Sequence, residues 1–139
     1  MITDLEVLAD VQATWRTVLS TRDFIARNLA GTGTIGGIPP SHEFRNLAYG
    51  LCLLFACSVL QDTLSALRCQ GAFACGRGEL GALLKASRNS LPWTNYDLVF
   101  EAKERRNAIA HAQAVIERGD TWRYIDAIEA ELRAWRIVH

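Results

Sequence analysis

Between Arg45-Asn46 and Gln61-Asp62 lies a run of 14 residues, LAYGLCLLFACSVL (47–60), that carries no charge. Such a stretch must leave water, and whatever covers it has to be supplied by the rest of the chain or by a partner. A bilayer span takes about 20 apolar residues, so this run is predicted to be a buried helix, with no membrane among the expected partners. Its middle is apolar on all sides of a helix, which marks it as the most buried helix of the fold. With 139 residues, half of them hydrophobic and only 3 of them Pro, the chain makes one domain with a real core, and general disorder is excluded.

Helical periodicity continues on either side, and no alternating β-branched run suggests a sheet. Thr3-x-x-Glu6 reads as a capping box. Behind it Leu5, Leu8, Val11, Trp15, Val18, Ile25 and Leu29 form one apolar stripe on a helix to about Ala30. Residues 31–40, GTGTIGGIPP, break the pattern and form a connection. Ser41 is the expected N-cap of the second helix, which runs to about Gln70 and stops at Gly71. A loose turn over Gly76 and Gly78 leads to a short third helix, Glu79 to Arg88, interrupted by Ser90-Leu91-Pro92-Trp93. Thr94 is the expected cap of a fourth helix through about Glu117, ended by Gly119. Asp120 or Thr121 would cap a fifth, with Trp122, Ile125, Ile128, Leu132 and Trp135 at helical spacing. The fold class expected is all-α: an antiparallel helical bundle of about four long helices plus one short one.

The formal net charge is +0, with 15 Lys plus Arg against 15 Asp plus Glu. That balance argues against tight, unaided binding to long nucleic acid through diffuse attraction. All the cations except Lys85 and Lys103 are arginines, which favour paired, bidentate contacts. The first residues offer neither a basic n-region nor an apolar h-region, so no secretory signal is expected. Cys52, Cys57, Cys69 and Cys75 show no CxxC or CxH spacing, so zinc is not expected and free thiols in a reducing cytoplasm are. A bridge between Cys69 and Cys75 is the alternative. The tryptophans read as core or dimer packing rather than ligand stacking.

One segment carries chemistry. In EAKERRNAIAHAQ (101–113), Asn107 and His111 are four apart and share a helix face, with Glu104 one turn earlier. Arg106 is offset, but its long side chain reaches that face. Alanines at 102, 108, 110, 112 and 114 keep the surroundings low enough for another backbone to approach. His takes or gives a proton near neutral pH. Arg offers a permanent charge to phosphate oxygens.

Arg106-Asn107-Ala-Ile-Ala-His111 resembles the hallmark of the HEPN superfamily, an Arg, a polar residue and a His four to six residues after the Arg. The layout is similar too: a long first helix, a long apolar second and the motif on a late helix. The resemblance implies an endoribonuclease of toxin or abortive-infection type that needs no metal and no other cofactor. Arg106, Asn107 and His111 would be its catalytic residues, with Lys103 and Arg105 as the candidates for RNA contact. His42 sits at a helix start and His139 is the last residue, so each chain supplies one motif His. The resemblance therefore implies a homodimer with a composite cleft, and an antitoxin protein as a possible partner. A non-catalytic binding or scaffold module that keeps the motif is the alternative. In HEPN toxins silenced by nucleotide transfer a Tyr often stands two residues after the motif His. Gln113 stands there in this chain, which puts that mode of inhibition in doubt. The GxGxxG spelling within 31–36 follows a helix rather than a strand and is discounted as a dinucleotide fingerprint.

Overall fold

The structure, a computed structural model, describes residues 1–28, 41–112 and 114–139. The expectations placed on the connection 31–40, on Leu29 and Ala30, and on Gln113 fall outside the described residues. The remainder is all-helical: α1 (Leu5–Asn28), α2 (His42–Cys69), α3 (Leu80–Ser87), α4 (Tyr96–Ala112) and α5 (Arg118–Ala134). These are four long helices and one short one packed round a single core, as the periodicity predicts.

The uncharged run makes α2 the hub, in contact with each of the other four helices. Cys52, Leu53, Ala56, Cys57, Leu60, Leu64 and Leu67 are all buried along it. Each such leucine contributes about 1.5–3 kcal/mol by leaving water. Taken with its flanks, the segment Phe44–Cys69 is long and apolar enough to cross a membrane by length and composition, and more than half of its most apolar window is buried against the other helices.

The pairs α1–α2, α2–α4 and α4–α5 run antiparallel, which leaves α2 and α5, also in contact, parallel to each other. Gly50 meets Ile109 while Gln61 meets Arg106, so α2 and α4 pass in opposite directions. Glu131 reaches Asn95, Tyr124 reaches Glu101 and Arg105 reaches Asp120, which sets α5 against α4 in the same sense. Gln70 at the end of α2 takes the N–H of Thr3 and donates to the Met1 carbonyl, closing α1 on α2.

Ser41 caps α2 through the Phe44 N–H, as expected. Its other end is a Schellman turn: the Ala72 N–H reaches the Leu67 carbonyl and the Gly71 N–H that of Arg68. Gly71 sits there at φ 86°, a left-handed conformation in which a side chain would be strained.

Other helix starts differ from the sequence reading, each for a local reason. The Thr3–Glu6 capping box does not form. Asp4 Oδ1 accepts from the N–H groups of Glu6 and Val7 instead, a carboxylate at the N-cap being well placed to hold the first turn. The Thr3 hydroxyl turns to Gln70. Asn95 rather than Thr94 caps α4, through the Leu98 N–H. Helix α4 ends at Ala112, short of Glu117, because Ile116 turns into the core and the chain extends at Glu117 to begin α5. Gly119 thus lies inside α5, and the Thr121 hydroxyl donates to the Glu117 carbonyl rather than capping. Nor is α2 buried on all sides: Leu47 and Leu51 in its first turns are 58% and 55% exposed.

Trp15 and Trp135 are buried. Trp93 packs edge-on against Trp135 and Tyr96, and Trp122 against Tyr49. The tryptophans are therefore engaged within one chain, and their number is no argument for a dimer. All four cysteines are free, so the Cys69–Cys75 bridge is absent.

Glu131, with 0% of its surface exposed, fixes where α4 begins. Its two carboxylate oxygens accept from the backbone N–H groups of Thr94 and Asn95 at 2.8 and 2.6 Å. Removing it takes away the carboxylate that two backbone N–H groups bond and leaves a void where a fully buried side chain stood, so Glu131→Ala is expected to cost about 3 kcal/mol of folding stability. Chemical denaturation checks this, with an unchanged m-value and a lowered midpoint as the expected result.

Candidate functional site

Helix α4 presents three faces. Val99, Ala102 and Lys103 turn inward and are buried. Glu101 and Arg105 face α5. Glu104 and His111 point to solvent, with Asn107 half-buried at the edge. Arg106 leaves the inward face towards α2 and lies half-buried between the two helices.

The Arg106 fork is held from two directions. One terminal nitrogen donates to Asn107 Oδ1 at 2.9 Å, and the other reaches Gln61 Oε1 on α2 at 3.5 Å. A guanidinium has donors only, so Asn107 must turn its oxygen to Arg106. The Asn107 NH2 then has no protein partner among the described residues and remains able to donate. Asn107 accordingly does not hold His111 here. The imidazole is exposed, without a hydrogen bond among the described residues. Arg106 and Asn107 form a bonded pair, and His111 lies one turn on from Asn107.

The flanking cations are engaged elsewhere. Lys103 is only 7% exposed. Its Nζ lies 2.6 Å from Glu104 Oε1 and 4.1 Å above the Phe100 ring. It also packs beside Gly81, so it works in the α3–α4 contact. Arg105 is 3.8 Å from Asp120 and reaches the Val115 carbonyl at 3.4 Å, tying α4 to the chain that enters α5. Neither is brought into the Arg106–Asn107 pair. The alanines divide as well: Ala102 is in the core, while Ala110 and Ala114 line a surface groove.

That groove, of about 440 Å³, runs between the start of α2 and the end of α4, with Leu47, Leu51, Leu54 and Ile109 among its walls. Gly50 forms part of its floor because a Cβ there would stand 3.2 Å from the Ile109 side chain. Among the described residues no cluster of three or more His, Cys, Asp or Glu is gathered as a metal site. Gln61 and Cys57, which touch Arg106, were not legible as site residues. They come from the middle of another helix and belong to no motif.

Comparison of the chain with protein-family models, with curated proteins and with solved structures finds no match to any of them.

Burial pushes the Cys57 thiol from 9.0 up to about 12, against the opposing pull of the adjacent Arg106 charge and its hydrogen bond. Burial likewise raises Cys52 to about 11, with Arg22 opposing. Both thiols therefore stay protonated in the folded protein at pH values where the unfolded chain ionises. The native state then binds more protons than the unfolded one, so stability falls as pH rises from about 9 through about 12. Burial raises Tyr124 too, aided by its hydrogen bond to Glu101, and adds to the same alkaline loss. Stability measured against pH is expected to be flat below about pH 9 as far as these groups are concerned. Its alkaline slope should be shallower in Cys57→Ala, whatever the offset caused by the smaller side chain.

Proposed function

We propose that the chain is a HEPN-like endoribonuclease that cleaves RNA without a metal ion, working as a cytoplasmic homodimer in the manner of a toxin or abortive-infection protein. The observation that supports this most is the bonded Arg106–Asn107 pair with the unencumbered His111 one turn beyond it. Cleavage by the RNA's own 2′-hydroxyl makes a bond from that oxygen to phosphorus and breaks the bond to the 5′-oxygen. The products are a 2′,3′-cyclic phosphate and a 5′-hydroxyl, and one proton has to be removed from the nucleophile and one delivered to the leaving oxygen. An exposed imidazole serves either proton role. Arg106 supplies fixed positive charge to the phosphorane oxygens, and the Asn107 NH2 supplies a neutral donor beside it.

A single chain places one His in this arrangement, so two proton transfers call for a second copy. The exposed Leu47 and Leu51 next to the end of α4 are the apolar surface that such a copy would cover. On this reading sedimentation at micromolar concentration gives a dimer, and Leu51→Glu gives a folded monomer. A wild-type monomer at that concentration would remove the composite cleft.

The alternative, a binding or scaffold module that does not cleave, is favoured by one feature: Arg106 is already engaged inside the protein, as a purely structural cation would be. Substitution separates the two. In the presence of a chelator, His111→Ala should lower RNA cleavage by about a hundredfold or more. Arg106→Ala should lower it by about a hundredfold, and Asn107→Ala by less. His111 is exposed, so its variant should melt at the wild-type temperature. Equal activity in wild type and His111→Ala would point to a contaminant. No activity in the wild type would favour the scaffold, and an unfolded His111→Ala would make the His a structural residue.

A further inference from the structure

The Arg106 side chain gains its direction from outside its own helix. Gln61, on α2, has an amide whose two ends are committed. Its Nε2 donates to the Gly78 carbonyl, in the turn before α3, at 2.9 Å. That bond fixes the amide's orientation, because only the nitrogen end can donate, and it leaves the Oε1 end facing the Arg106 fork at 3.5 Å. With Asn107 holding the other terminal nitrogen at 2.9 Å, the guanidinium is gripped at both tips. Without Gln61 the flexible arginine would keep Asn107, the residue next to it, and the Cys57 thiol, a weak acceptor that stays protonated, and would swing more freely on them.

We propose that Gln61 is a positioning residue, aiming the Arg106 guanidinium for a phosphate through a relay that runs from the Gly78 carbonyl to Gln61, Arg106 and Asn107. The inference rests on the reading of Arg106 as the phosphate-binding group. It gives the turn between α2 and α3 a function: its carbonyl at Gly78 sets the orientation of a side chain that acts on α4. Aim matters because a charge displaced by about an ångström can lose much of its effect on a transition state. Gln61 touches no reacting atom and is not a catalytic residue.

Gln61→Met keeps the length of the side chain and removes both hydrogen bonds. Two readouts on the full chain test it. Heteronuclear NMR of the arginine Nε–Hε groups, with the Arg106 signal assigned by its loss in Arg106→Lys, reports how freely the fork rotates. RNA cleavage under single-turnover and steady-state conditions reports its use. The expected result is faster rotation of Arg106, and kcat lower by roughly tenfold with KM little changed. An Arg106 signal identical to wild type overturns the proposal, as does free rotation with undiminished cleavage. If the wild type cleaves nothing while Gln61→Met still releases Arg106, the hold of Gln61 on Arg106 stands and the ribonuclease reading fails. Should Gln61→Met melt early, Gln61→Asn, polar but one methylene short of Arg106, is expected to give the same pattern.

Discussion

Everything in this molecule is arranged around the need to bury α2. Its uncharged middle is too apolar to meet water, and four helices close round it. The close approach of Gly50 to Ile109 on one turn and the Gln61–Arg106 contact on another then fix the height of α4 against it. The position of the polar cluster is a by-product of packing. Helix α4 places Arg106 where an arginine can leave the core edge and turn outward, while Asn107 and His111 follow on the side that α2 does not cover.

The same constraint explains which cations are available. Lys103 faces the α3 contact and is desolvated over an aromatic ring, while Arg105 faces α5 and closes the chain reversal. Both are engaged by the fold, Lys103 buried beneath its partners and Arg105 held in a partly exposed pair with Asp120. Arg106 is half-buried yet keeps one edge towards the motif face, a compromise between structural anchoring and access. The buried Cys57 beside it has the opposite character. Its thiol is held neutral by burial despite the adjacent positive charge, so it packs rather than reacts.

Element order and type were legible in the sequence because long amphipathic helices and Gly-rich breaks act locally. The stop of α2 at Gly71 and the whole of α3 follow from such signals. What was not legible depended on competition or on distance. Thr3 lost the N-cap to the carboxylate next to it, and Thr94 lost it to Asn95 while Glu131, far away in the chain, took its N–H. The early end of α4 came from the burial of Ile116, which no breaker residue announces. That Asn107 and His111 follow one another along one side of α4 was legible by spacing. The partners of Arg106 on α2 were not, since Gln61 and Cys57 look like ordinary members of a core helix. The exposure of Leu47 and Leu51 was hidden for the opposite reason: the run is apolar throughout, and only the packing reveals which turns stay uncovered.

The central claim is that the Arg106, Asn107 and His111 cluster uses the substrate's own 2′-hydroxyl as the nucleophile. Mass spectrometry of the ends left on a short RNA oligonucleotide, cut in the presence of a chelator, tests this most directly. The account predicts 2′,3′-cyclic phosphate and 5′-hydroxyl ends, and no cut where the scissile nucleotide carries a 2′-deoxy sugar. Fragments ending in 3′-hydroxyl and 5′-phosphate, or equal cutting at the 2′-deoxy position, would contradict it.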